Sequence, residues 1–331
     1  MVKIMKKFIY RSDLAVEMKE QIQDQFKDSY EESQTKNITI EKIKLANDSL
    51  EFGKKKGFYL SLRFEDLELE AHRLDIIDVL TEELRIILKT YQLNKTSKIL
   101  IVGLGNPLLS CDALGPLLQD GMIITSHLDD NLLMEEKLNK VALLIPRVKG
   151  QTGMETAEII KGVSQSFKPD LIIVVDALAT KNMKRIHRVI QISDTGIRPG
   201  SGVGSNTKEI TTETLNIPVL AIGVPTVVDV ASITFDVIEI MERYFADYLN
   251  NPANKLKFGK RYDYQGELNN LQKEQLFGEL GKLTDEEKKQ LLLEVVEPIG
   301  MNMIVSSKSV DEEVKHLANI LAHSLNKALH Y

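Results

Sequence analysis

An α/β fold with a parallel sheet is what the sequence predicts, and three observations predict it. Ile99 to Val102 is a continuous apolar run, β-branched at three of its four positions, as in a strand covered on both faces. Leu171 to Val175 repeats the pattern. From Lys98 onward such runs alternate with helical periodicity, the mark of strand–helix–strand units.

Taken in order, residues 14–27 have the spacing of an amphipathic helix, with Ser12 or Asp13 as its cap. Residues 37–64 alternate polar and apolar and read as strands, with Lys54-Lys55-Lys56 as a solvated turn between them. Residues 68–92 carry a helical apolar stripe. Strands are expected at 99–103, 141–146, 171–176, 188–193 and 218–222, with helices after Asp112 to about Thr125 and over 153–165. A glycine-rich loop, 195–207, has no dinucleotide-binding spacing. It reads either as a connector or as a loop donating backbone amides. A helix to about Leu249 follows, then a polar, irregular stretch near 250–283. Thr284 with Glu287 forms a capping box, residues 301–305 an edge strand, and 310–329 a closing helix.

Two acids stand out on this scaffold. Gly103, Gly105 and Asn106 break the first core strand, and Asp112 follows where a helix would begin. Asp176 comes directly after the apolar run 171–175. Sites in open α/β sheets form at the carboxyl ends of strands. If these two strands are neighbours, both carboxyls open onto one crevice, and two carboxyls within reach share a proton. One then serves as general base on a water while the other polarises a carbonyl. Taken singly, Asp112 reads first as a helix cap and Asp176 as a partner for backbone amides. Cys111 beside Asp112 is a thiol with no histidine placed to activate it. The six histidines show no zinc-ligand spacing.

Composition narrows the classes. Of 331 residues, 43% are hydrophobic and 27% charged, ordinary for a globular enzyme. A net charge of −6 argues against a general nucleic-acid-binding surface. One cysteine excludes an internal disulfide and fits a reducing compartment. No apolar run reaches the length of a membrane span or a signal peptide. The expectation is a cytoplasmic protein with no membrane partner, no metal and no cofactor.

Several long runs resemble the spore germination protease family. They are residues 101–106 (Ile-Val-Gly-Leu-Gly-Asn), 112–117 (Asp-Ala-Leu-Gly-Pro-Leu), 176–179 (Asp-Ala-Leu-Ala), 190–204, 217–229 and 325–330. The resemblance implies an endopeptidase that begins the degradation of small acid-soluble spore proteins at germination, in the spore core. It implies a three-layer α/β/α fold with a mostly parallel central sheet, like that of hydrogenase-maturation proteases, and a homotetramer. The family's proposed catalytic pair falls on Asp112 and Asp176. Family members are zymogens that cut after an acidic and before a hydrophobic residue, which points to Asp13–Leu14 here. Residues 1–13 are then a propeptide and 14–331 a single catalytic domain. Gly200, Gly202 and Gly204 are expected to bind substrate. The chain departs from the family pattern at Pro107–Cys111, which sets a thiol beside Asp112. A second departure, at Pro146–Gly150, brings in Arg147 and Lys149. Two rival readings remain open: the aspartates as metal ligands of a maturation-type protease, or a groove that binds spore proteins without cutting them.

Overall fold

The core strand β4 (Lys98–Gly103) lies between two parallel neighbours, β5 (Lys140–Leu144) and β6 (Leu171–Thr180). This is seen in a computed structural model that describes residues 12–19, 30–49, 53–94, 96–136, 138–200, 207–250, 264, 266–296 and 303–330. An antiparallel meander precedes it: β1 (Tyr30–Thr35), β2 (Ile38–Leu45) and β3 (Gly57–Arg63). It joins the core through β7 (Val189–Ser193), which also pairs antiparallel with β8 (Val219–Asp229). The order is β1-β2-β3-β7-β8-β6-β4-β5, and β9 (Ile304–Val305) pairs with the last two residues of β8. The α/β class is as the sequence predicts. The sheet is mixed, and the pairs β4–β5 and β4–β6 carry its parallel character.

Alternation along the core strands explains why both faces are covered. Ile99, Ile101, Leu171, Ile173 and Val175 enter one apolar cluster, shared with helices Glu70–Thr90 and Val310–His330. Leu100, Val102, Ile172 and Val174 enter a second, closed by helix Thr156–Phe167 through Ile160. Each of these strand side chains is at most 1% exposed, worth about 1.5–3 kcal/mol apiece against the unfolded chain.

The described residues fall into two compact units, one drawn from 10–180, 184–227 and 306–331, the other from 181–183 and 228–305. In the second, Lys288 is 1% exposed and is held by Glu242 at 2.6 Å. The expected capping box is present there, with Glu287 N–H donating to Thr284 Oγ1 and Thr284 N–H to Glu287 Oε2. Part of the stretch expected to be irregular is helical, Asn270–Phe277, where Asn269 and Gln272 form a second capping box. Residues 251–263 lie outside the described residues, as do residues 20–27 of the first expected helix, of which Val16–Lys19 is seen.

Elsewhere the local chemistry overrides periodicity. The single helix expected after Asp112 is broken into a 3₁₀ turn Ser110–Asp112, a short helix Leu114–Leu117 and a second turn Leu118–Asp120. Pro116 removes a donor, and Gly115 is committed to a backbone contact. A Cβ on Gly115 would lie 2.3 Å from Leu104 O and 2.4 Å from Leu104 N, and one on Gly103 would lie 2.2 Å from Gly115 O. All these neighbours are backbone and cannot rotate away. Gly115→Ala should therefore cost about 3 kcal/mol or more, read as a lower urea midpoint. A midpoint unchanged from wild type would contradict this packing.

Candidate active site

The parallel register sets the first acid. Gly103 is opposite Val175, and Leu104 N–H still donates to Val175 O at 2.8 Å. Asp176 is the next residue, so it emerges just where β4 turns away. The strand does not stop there, as the sequence suggested, but runs on to Thr180. Ala179 explains part of this extension: its carbonyl accepts from Asp13 N–H at 3.2 Å, and its N–H donates to Asp13 Oδ2 at 2.9 Å. Asp176 is 5% exposed, and Oδ1 accepts from Ala177 N–H at 2.9 Å.

The glycine turn sets the second. Gly105, at φ +118°, brings its backbone so close to Asp112 that a Cβ would lie 2.0 Å from Asp112 O. Asp112 Oδ2 accepts from Asn106 N–H at 2.8 Å. Asp112 thus does not cap a helix, because Ala113 holds the cap position of the short helix that follows. Thr226 on β8 secures the same turn by donating to Cys111 O at 2.6 Å.

The electrostatics couple these two carboxyls. Burial pushes Asp112 up to about 6, partly opposed by the Asn106 N–H. Burial first, then the neighbouring Asp112 and Asp13, push Asp176 well above the usual carboxylate range, against the Ala177 N–H. The protonated form of each carboxyl is thus favoured over its ordinary range. Burial and Asp112 also push the Cys111 thiol up, which disfavours a thiolate nucleophile. Among the described residues, no three His, Cys, Asp or Glu side chains cluster to hold a metal ion. Among them too, no helix is long and apolar enough to cross a membrane.

The segment 12–17 lies along the same strand. Leu14 is fully buried with Val16, Leu178 and Val189. Ala15 packs with Ile43, Leu45 and Tyr59. Ser12 Oγ accepts from Leu14 N–H at 3.0 Å and donates to Glu17. Glu17 also receives Thr180 Oγ1 at 2.5 Å and faces Arg185 at 3.2 Å. Lys54, expected in a solvated turn, instead donates to Asp13 O at 2.6 Å, while Lys55 pairs with Glu209. Of the three loop glycines, Gly200 is described, at φ +69°, and Gly202 and Gly204 lie outside the described residues. The loop's base is tied by the Ile197–Ile210 bridge, and Ile197 packs against the Leu14 cluster.

Sequence reasoning singled out Asp112, Asp176 and Asp13–Leu14. It missed Lys54, Gln191, Glu17 and Arg185, whose roles depend on contacts between distant segments.

Comparisons with known proteins place the chain in a family. A family model described as germination protease, a peptidase family, matches residues 8–331. The germination protease of Bacillus mycoides is 37% identical over 349 residues, covering 98% of this chain and 95% of that one. That of Bacillus anthracis is 37% identical over 350 residues with the same coverage. A solved NiFe hydrogenase maturation protease from Thermococcus kodakarensis matches with a TM-score of 0.29 and 24% identity, covering 42% of this chain and 80% of that one, too weak to argue from. The chain belongs to the germination protease family of peptidases.

A stability test follows from the raised acids. Asp112 is held protonated more readily folded than unfolded, so its contribution is favourable below about pH 4 and is lost as pH rises through about 6. Asp112→Asn keeps an acceptor for Asn106 N–H and removes the charge. At pH 8 it should be more stable than wild type, by on the order of 1–2 kcal/mol after discounting for its half-buried position. The gain should vanish near pH 4, and urea midpoints at the two pH values check both arms.

Proposed function

We propose that this peptidase is an aspartate-dependent endopeptidase, made as a self-processing zymogen, that starts the breakdown of small acid-soluble spore proteins at germination. The observation that carries the reading is the pair Asp112 and Asp176: two carboxyls raised by burial, the second raised further by the first. Between them they hold one proton and one negative charge. The ionised member takes a proton from a water, and the protonated member returns one to the leaving nitrogen. Cleavage after an acidic and before a hydrophobic residue makes Asp13–Leu14 the processing bond and residues 1–13 the propeptide, with 14–331 as the catalytic chain. The contacts of Asp13 with Ala179, three residues beyond Asp176 on one strand, support this choice. Gly200, Gly202 and Gly204 are assigned to substrate binding. We place the enzyme in the cytoplasm of the forespore and the spore core as a homotetramer. Its partners are its substrate proteins, not nucleic acid or membrane.

The test is the mass of purified full-length protein over time from mildly acidic to neutral pH. Loss of residues 1–13 is expected, and Asp112→Asn or Asp176→Asn should slow it at least about 1,000-fold. Full conversion in either variant would remove that aspartate from the mechanism. Conversion stopped by a chelator and restored by a divalent metal would favour the metal-ligand reading of the same residues.

A further inference from the structure

The carbonyl oxygen of Asp13 is held by two side chains from distant parts of the chain. Lys54 Nζ donates to it at 2.6 Å and Gln191 Nε2 at 3.0 Å. Gln191 uses the other end of its amide too, with Oε1 accepting from Ala15 N–H at 2.6 Å. One side chain therefore grips the backbone on both sides of Leu14. Gln191 sits within β7 and is 8% exposed, so its amide is held by the sheet.

A backbone carbonyl is neutral, and one N–H satisfies it. Lys54 brings a whole charge instead, in surroundings where burial pushes its ammonium below the usual lysine range against the pull of Asp13 and Glu17. A desolvated cation gains little from a neutral carbonyl and much from one that has become an oxyanion. Interactions that strengthen as charge develops are the ones that accelerate a reaction.

We infer that Lys54 and Gln191 are the oxyanion-binding pair for hydrolysis of the Asp13–Leu14 bond. This rests on the self-processing reading given above and adds the groups that receive the carbonyl oxygen. In the first step a water oxygen bonds to the Asp13 carbonyl carbon and gives a proton to the carboxylate of the Asp112–Asp176 pair. The carbonyl π electrons move onto oxygen, where Lys54 Nζ and Gln191 Nε2 meet the new charge. In the second step the carbon–nitrogen bond breaks, the oxyanion re-forms its double bond, and the Leu14 nitrogen takes a proton from the pair. The products are the Asp13 carboxyl and the Leu14 amine. The carboxylate of Asp13, already met by Ala179 N–H, is balanced by the same Lys54.

The experiment is a time course of intact mass on full-length wild type, Asp112→Asn, Lys54→Met, Lys54→Arg and Gln191→Leu, with a thermal melt of each. Lys54→Met and Gln191→Leu should each slow loss of residues 1–13 by about 100-fold, the usual effect of deleting one such donor. Lys54→Arg, which keeps a cationic donor, should stay within a few-fold of wild type. A role limited to anchoring the segment would instead make the rates follow the melting temperatures. Wild-type rates in both Lys54→Met and Gln191→Leu, with Asp112→Asn inert, would overturn the oxyanion pair and leave self-processing standing. A wild-type chain that never sheds residues 1–13 would overturn both.

Discussion

Gly103 and Gly115 meet backbone to backbone, and the geometry around Asp112 follows from that contact. It lets the chain leave β4, turn through Gly105 and return across the end of its own strand. The 3₁₀ turn that carries Asp112 has no side-chain cap of its own. Its position is inherited from the glycine contact, from the Asn106 N–H and from the Thr226 bond to Cys111 O. The other half of the site depends on register alone. Because Gly103 pairs with Val175, Asp176 is the first residue of β6 beyond the β4 ladder.

The arrangement is costly to stability, and the cost is what singles out the candidate site. A carboxyl raised by burial is less stable ionised in the fold than in the unfolded chain, and here Asp112 raises the second such group, Asp176, further. The run that leads to Asp176 is wholly apolar, with Ile172, Ile173, Val174 and Val175 fully buried. Selection for stability alone would not put Asp176 at the end of that run. Local penalties of this kind are tolerated where the charge has work to do.

The parts of the fold governed by short-range patterns were legible in the sequence. The apolar run Ile99–Val102, the glycine turn and the run before Asp176 fixed two strands and two acids, and strand alternation made their pairing plausible. The Thr284–Glu287 capping box was readable for the same reason, being contained in four residues. What could not be read were contacts between segments far apart. The bond from Lys54 to Asp13 spans 41 residues, and that from Gln191 to Asp13 spans 178. A run of three lysines looks solvated unless one knows that a buried segment passes beside it. Likewise the extension of β6 past Asp176 owes part of its pairing to Asp13, which no local pattern near Ala179 announces. The helix after Asp112 failed because Gly115 answers to Leu104, not to helical periodicity.

The burial of Leu14 bears on who can reach the bond before it. Leu14 and Ala15 are wholly inaccessible to solvent, and Val16 nearly so. A protease arriving from outside must fit some length of extended backbone into its own cleft, so it would first have to peel this segment from the sheet. That opening gives up the burial of Leu14 and Val16, about 1.5–3 kcal/mol each, along with the Gln191, Lys54, Thr180 and Arg185 contacts. Local opening of this size leaves only a small fraction of molecules exposed at any moment. Groups already inside the fold face no such toll, so on the self-processing reading the burial that shuts out other proteases leaves the bond to groups of its own chain.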